Sequence, residues 1–452
     1  MNDSESTTTE VLISPGKLSG RIVLSGAKNS ALKLMTASLL TRDDLVLHRF
    51  PLSITDAKIH VEMLERLGKT CELGPDSTTI RISESELAGS LREWRLRSIR
   101  NTLLMLGCLT ARLGHGCVPL PGGCAIGDRK YDLHQMVLED LGAEVWEEGG
   151  YLYAESKGRL IGNDIRLPIR STGATENAIL CGSLAEGRTR IWNPHVRPEI
   201  IDLIHLLNGM GASIRVFGQE RIEVDGVESL RGAVHTVIPD NMEAITWVIG
   251  TAISGGETEI VDFPFDDLEV PLIFLRESGL RCFRGKNSLI VRGSSPYPLD
   301  FSTGPYPGIN SDMQPIMAVY GACAIGETRI VDLRFPGRYS YVDEFRKVGI
   351  DCVIRENLLI VNGNGGKLRG GHVRALDLRA GAALMLAAMV ARGETLISEA
   401  WQIERGYDQV WDKLAQSGIA VEQRTATQTQ DRMLARRANR RDLFQNEWGS
   451  VD

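Results

Sequence analysis

Cys124 stands in Pro119 to His134, PLPGGCAIGDRKYDLH, with glycines at 122, 123 and 127, Arg129 a few residues on and Lys130 beside that. Glycines at this density favour a loop over a strand or helix. Nearby cations lower a thiol's pKa and raise its reactivity. The segment therefore reads as a mobile lid that carries a thiol and an arginine over an anionic site. The other seven cysteines have irregular spacing and no CxxC pair, which speaks against a zinc site or a disulfide framework. They read as small core hydrophobes, Cys323 at the end of an apolar helix among them.

A second group of chemical residues sits where apolar helices begin. Lys28, in Ser25-Gly26-Ala27-Lys28-Asn29-Ser30, is placed for a phosphate or carboxylate at a helix N-terminus. Asp312 in Asn310-Ser311-Asp312-Met313-Gln314 and Asp377 in Asp377-Leu378-Arg379 are carboxylates at the same kind of position. Such a residue is most often a cap; held beside a hydroxyl in a cleft, it is also a general base. Arg100 and Arg405, the latter in Glu404-Arg405-Gly406-Tyr407, are candidate anion clamps, since guanidinium forks suit carboxylates and phosphates alike.

These residues are positioned by a repeat. A polar lead-in, an apolar helix, a Gly-Glu-Thr-like turn and a β-branched strand recur from about residues 25, 98, 171, 239, 311 and 377. The period of about 70 residues is too long for a solenoid of helix pairs and long enough for a β-α-β-α-β-β unit. Helices such as Gly381–Val390 (GAALMLAAMV) are apolar on nearly every face, which predicts burial on all sides. Segments such as Asp202–Met210 and Val342–Val348 are amphipathic and read as outer helices. The pattern predicts an α/β protein of two domains with three units each. One spans 28–237, the other joins 1–27 to 238–423, and 424–452 is a basic, flexible tail. Six helix N-termini facing one cleft carry partial positive charge, so the cleft favours an anionic ligand.

The rest of the composition excludes other classes. A net charge of −7 argues against wholesale nucleic-acid binding, although Arg424 to Arg441 carries six arginines against one aspartate, Asp431. That tail reads as solvated. No run of about 18 apolar residues exists, so no membrane span is expected. The polar, acidic Met1–Glu10 does not read as a secretory signal. The free cysteines suit a reducing cytoplasm.

Taken together the segments resemble the UDP-N-acetylglucosamine enolpyruvyltransferases of the EPSP synthase superfamily, over roughly residues 12 to 422. The resemblance rests on Leu18-Ser19-Gly20, Ser25-Gly26-Ala27-Lys28-Asn29, Pro121-Gly122-Gly123-Cys124-Ala125-Ile126-Gly127 and Gly173-Ala174-Thr175-Glu176-Asn177. Pro239-Asp240, Ser311-Asp312-Met313-Gln314, Asp377-Leu378-Arg379-Ala380 and Arg405-Gly406-Tyr407 complete it. It implies a two-domain inverted α/β barrel with threefold pseudo-symmetry in each domain. It further implies transfer of the enolpyruvyl group of phosphoenolpyruvate to the 3-hydroxyl of UDP-N-acetylglucosamine by addition and elimination, in a cytoplasmic monomer without metal or cofactor. Lys28, Arg129 and Arg405 would hold the phosphate, supported by Arg100 and Arg379. Cys124 would help protonate the methylene carbon, and Asp312 would take the acceptor's proton. Asn29, Asp132, Ser171, Thr172, Gly173, Arg334, Phe335 and Asp377 would line the acceptor.

The chain departs from the family's pattern on the acceptor side. Lys130 replaces a usual Pro, and Ile169-Arg170 stands where Lys is usual. His195-Val196-Arg197-Pro198-Glu199 replaces Ala-Arg-Glu-Pro-Glu, and Pro336-Gly337-Arg338-Tyr339 replaces Glu-Asn-Arg-Phe. Added positive charge at Lys130, Arg170, Arg197 and Arg334 leaves a second acceptor open. This is the 3′-hydroxyl of UMP, as in relatives from nikkomycin- and polyoxin-type antibiotic pathways.

Overall fold

The computed structural model describes residues 9–122 and 130–425. Its sheets share one plan. Asp164–Arg166 runs parallel to Arg188–Trp192, which pairs antiparallel with Arg221–Asp225, and that strand closes a hairpin with Ser213–Phe217. Asp300–Ser302, Ile325–Val331, Leu358–Asn364 and Asp351–Arg355 repeat the order. A parallel pair needs a crossover connection, and in these two sheets a buried helix, Thr172–Leu184 or Gln314–Cys323, supplies it. The expected β-α-β-α-β-β unit is therefore present. In the sheet of His115–Pro119, Tyr151–Glu155 and Glu144–Glu148, a single bridge from Ser90 to Cys117 marks the parallel position.

Small side chains explain how the central helices come together. Every residue from Leu378 to Met389 is buried, as is every residue from Asn241 to Ala252. These two helices and Gln314–Cys323 pack against one another. In the other core Thr102–Leu113 lies against Thr172–Leu184 so closely that a Cβ on Gly107 would sit 2.1 Å from Asn177 Oδ1. No side chain other than hydrogen fits there. One core gathers Val11 to Leu24 with Met242 to Ile419, and the other gathers Ala31 to Val237.

The chain passes twice between these cores. Ser19–Val23 runs parallel to Glu257–Val261, and Ala233–Thr236 runs parallel to Leu45–His48. The two passages touch: Ala27 N–H donates to the Ile238 carbonyl at 2.7 Å, and Asp240 N–H donates to the Ser25 carbonyl at 2.9 Å. Asp240 then caps two helices at once. Its Oδ1 accepts from Met242 and Glu243 N–H at 2.8 and 2.9 Å, and its Oδ2 accepts from Lys28 N–H at 3.1 Å. Thr9–Ile13 lies between Thr395–Ser398 and Val421–Thr425. Arg424, assigned to the basic tail by its charge, belongs to this last strand, opposite Glu10. The rest of that tail, 426–452, lies outside the described residues. Among the described residues no helix is long and apolar enough to cross a membrane.

Burial raises the Asp240 carboxyl above its ordinary value, so its charge costs stability while its hydrogen bonds supply it. Asp240→Asn removes the charge but keeps only one accepting oxygen, so its NH2 meets the Lys28 N–H and the thermal midpoint should fall, though less than on complete loss of the cap. Asp240→Ala strands three N–H groups and should cost about 2 kcal/mol, a downshift of several degrees by calorimetry.

Candidate functional site

The double passage sets the N-terminus of the Lys28–Ala37 helix beside that of Asn241–Ser254, at the seam of the cores. Lys28 donates from Nζ to Asp56 Oδ2 at 2.7 Å. From the other core, Arg405 donates from Nε to Asp56 Oδ1 at 3.0 Å and from Nη2 to Oδ2 at 3.3 Å. All three residues are buried. Burial alone would raise the Asp56 carboxyl, but Lys28 and Arg405 outweigh it and hold it at about 2. The seam is fastened further by Asp408, which accepts from Ser25 Oγ at 3.0 Å and from Ser53 N–H at 2.9 Å.

A second cluster forms around Asp312. Its Oδ1 accepts from Arg338 Nη1 at 2.9 Å and its Oδ2 from Arg379 Nε at 3.3 Å. Burial opposes ionisation here too, and the two guanidinium groups override it, holding the carboxyl well below the usual carboxylate range. Asp312 keeps 26% of its side chain exposed, whereas both arginines are buried. Arg338 Nε and Arg379 Nη1 are buried without a hydrogen-bond partner among the described residues. Buried donors are rarely left in that condition, and here two of them flank one carboxylate. Arg379 also lies over the Tyr407 ring, 5.3 Å from its centroid.

The acceptor candidates are more dispersed. Ser171 caps the Thr172–Leu184 helix, its Oγ accepting from Ala174 N–H at 3.4 Å. Gly173 lies beneath His134, whose Nε2 would be 2.7 Å from an added Cβ. Thr172 Oγ1 is 2.8 Å from His195 Nδ1. Arg334 is exposed and stacks over Phe335 at 5.2 Å. Asp377 is a helix cap, its Oδ1 accepting from Arg379 and Ala380 N–H at 2.8 and 3.0 Å. Arg100 donates to the Lys130 carbonyl at 2.7 Å. Asn29 is half-buried in the first turn of its helix, and Asp132 is exposed at the start of Asp132–Asp140. No hydrogen bond or ion pair among the described residues ties Asp132 to either cluster. Cys124 and Arg129 lie outside the described residues. Cys323 is buried, which pushes its thiol up to about 12, as suits a core residue.

The structure thus joins Lys28 to Arg405 and Asp312 to Arg379, and it corrects one expectation. Arg197 is not held out for an anion, because buried Glu199 takes its guanidinium bidentately at 2.7 and 2.8 Å. Three residues of the clusters were not singled out by type and spacing. Asp56 reads as an ordinary acidic residue in the first turn of the Thr55–Arg66 helix. Arg338 stood out only as part of a changed segment, and so did His195.

Comparison with known proteins fits this arrangement. The family described as EPSP synthase (3-phosphoshikimate 1-carboxyvinyltransferase) matches residues 13–414. UDP-N-acetylglucosamine 1-carboxyvinyltransferase 1 of Caldanaerobacter subterraneus subsp. tengcongensis is 36% identical over 405 residues, 89% of this chain and 96% of that protein. The UDP-N-acetylglucosamine 1-carboxyvinyltransferase of Gluconobacter oxydans is 40% identical over 409 residues, 90% of this chain and 96% of that one. Among solved structures, the enolpyruvyl transferase NikO from Streptomyces tendae superposes with a TM-score of 0.83 at 24% identity, covering 93% of this chain and 99% of its own. EPSP synthase from Acinetobacter baumannii follows the same fold with a TM-score of 0.71 at 18% identity, covering 92% and 100%. The sequence match runs through both cores and both carboxylate clusters, and the chain accordingly belongs to the EPSP synthase family of carboxyvinyltransferases.

Proposed function

We propose that the protein transfers the enolpyruvyl group of phosphoenolpyruvate to the 3-hydroxyl of UDP-N-acetylglucosamine and releases phosphate, a step of peptidoglycan synthesis in the cytoplasm. Relatives named for that nucleotide sugar share 36% and 40% of positions over about nine-tenths of the chain. The observation that carries the mechanism is Asp312 between Arg338 and Arg379, each of which keeps one buried nitrogen without a partner among the described residues. Phosphoenolpyruvate brings a carboxylate and a phosphate whose oxygens satisfy such donors.

In this reading Lys28, Arg129 and Arg405 hold the phosphate, with Arg100 and Arg379 supporting. Cys124 gives a proton to the methylene carbon, and the adjacent carbon becomes electron-poor. The acceptor oxygen attacks that carbon and its proton passes to Asp312. A C–O bond has then formed, giving a tetrahedral ketal. A proton of the new methyl group returns to the Cys124 thiolate and the double bond is restored as the C–O bond to phosphate breaks. Fixed cations stabilise the charge on phosphate throughout. A carboxylate as tightly paired as Asp312 is a weak base, since efficient bases have pKa values near the working pH. An anionic substrate that draws on Arg338 and Arg379 loosens that pairing and strengthens the base. Asn29, Asp132, Ser171, Thr172, Gly173, Phe335 and Asp377 border the acceptor, with exposed Arg334 at its solvated rim.

A second acceptor, UMP, is favoured by Arg334 and Arg170, which both act on the His195 imidazole, while Arg197 stays paired with Glu199. A terminal phosphate dianion suits such a group. With phosphoenolpyruvate present, phosphate release should saturate with UDP-N-acetylglucosamine, and Arg334→Ala should change it little. Saturation with UMP alone, and an affinity loss of ten- to a hundredfold in Arg334→Ala, would transfer the assignment to UMP.

Asp312→Asn should lower turnover about 100-fold while phosphoenolpyruvate binding stays unchanged or tightens, because Arg379 is released. A rate within a few-fold of wild type would leave Asp312 only its structural pairing. For Cys124, the epoxide fosfomycin should label it in preference to the other seven cysteines when acceptor is bound, and Cys124→Ser should depress turnover severely. Mass mapping of the adduct to Cys323 would contradict the assignment.

A further inference from the structure

His195 is delivered to the first turn of the Thr172–Leu184 helix by its own backbone. Its N–H donates to Thr175 Oγ1 at 3.1 Å, and that hydroxyl donates to the Ser171 carbonyl at 2.8 Å. The imidazole then faces both cores. Nε2 accepts the backbone N–H of Tyr306 at 3.1 Å, across 111 residues of sequence, and Nδ1 meets Thr172 Oγ1 at 2.8 Å. A backbone amide can only donate, so Nε2 carries no proton. Burial and the positive charges of Arg197, Arg334 and Arg170 keep the ring neutral, its pKa lowered to about 3. The one ring proton is therefore on Nδ1, and it is donated to Thr172 Oγ1.

We propose that His195 is a positioning residue that ties the turn at Thr172 to the Tyr306 loop of the other core and turns the Thr172 hydroxyl into a donor for an anionic oxygen of the acceptor. This rests on the acceptor-binding role given to Thr172 above. With one Thr172 lone pair taken by Nδ1–H, the hydroxyl proton is directed away from the ring. Arg334 and Arg170 act on the same imidazole from the two cores, so the position suits a phosphate oxygen of the nucleotide. The same ring registers whether the Tyr306 loop is docked. Acceptor binding and closure of the seam are thereby coupled through one side chain.

The test uses the full chain with whichever nucleotide supports phosphate release. His195→Ala should raise the acceptor KM roughly three- to tenfold, the worth of one hydrogen bond, with the phosphoenolpyruvate KM within twofold of wild type. Thr172→Val should do the same, and the double variant should be no worse than either single one. Hydrogen exchange at the Tyr306 amide should quicken in His195→Ala, stay slow in Thr172→Val, and slow again in His195→Gln, whose amide oxygen can take the place of Nε2. Additive acceptor effects, an acceptor KM within twofold of wild type in His195→Ala, or unchanged Tyr306 exchange would overturn the proposal. If neither nucleotide yields phosphate, the acceptor reading fails, and Tyr306 exchange decides the bridge by itself.

Discussion

The carboxylate of Asp56, gripped by Lys28 from one core and Arg405 from the other, holds the seam together. Taking three charges out of water is expensive, and only their mutual pairing repays it. Removing one partner from such a cluster typically costs about 3–5 kcal/mol, more than most single contacts supply. The cluster lies where chain passages, helix ends and both cores meet. Its geometry therefore constrains how far the cores can move apart without breaking buried ion pairs.

The need for buried carboxylates follows from the architecture. Helices buried on every side bring uncompensated N–H groups and partial positive charge to their starts. Asp240 and Asp377 answer this by capping, and Asp312 answers the arginines that gather beside them. Small residues such as Gly107 let the helices close on one another. Close packing of those helices and convergence of charge at their ends are two consequences of the same repeat.

That repeat was legible in the sequence because its period and its wholly apolar helices are local properties. The starts expected near 98, 171 and 239 fall within a few residues of helices beginning at Thr102, Thr172 and Asn241. Lys28, Arg405 and Asp312 were legible as chemical types at helix beginnings or beside glycine, and Arg379 only through the family resemblance. Asp56 was not, because nothing in its own helix reports that Arg405 will arrive from 349 residues away. Arg197 misled for the opposite reason. Its charge was visible, but capture by Glu199 depends on the backbone turn at the start of Pro198–Gly209, which brings a buried carboxylate onto Nε and Nη2 of the guanidinium. His195 likewise shows its meaning only through Tyr306, on the far core.

Both paired carboxylates are depressed below their ordinary range, and the sign of that shift has a consequence. A group whose folded pKa is lowered stabilises the fold above its unfolded pKa and loses that contribution as pH falls through the folded value. For Asp56 the loss spans roughly pH 4 to about 2, far from neutrality. Protonation therefore cannot open either cluster under ordinary conditions. Another anion could compete for the same cations, and the proposed substrate, with both carboxylate and phosphate, offers two such groups. Lys28 and Arg405 close the seam through Asp56, while Arg338 and Arg379 hold Asp312 within one core, and the proposed substrate would draw on both pairs. Substrate binding and the basicity of Asp312 are then one equilibrium seen from two sides.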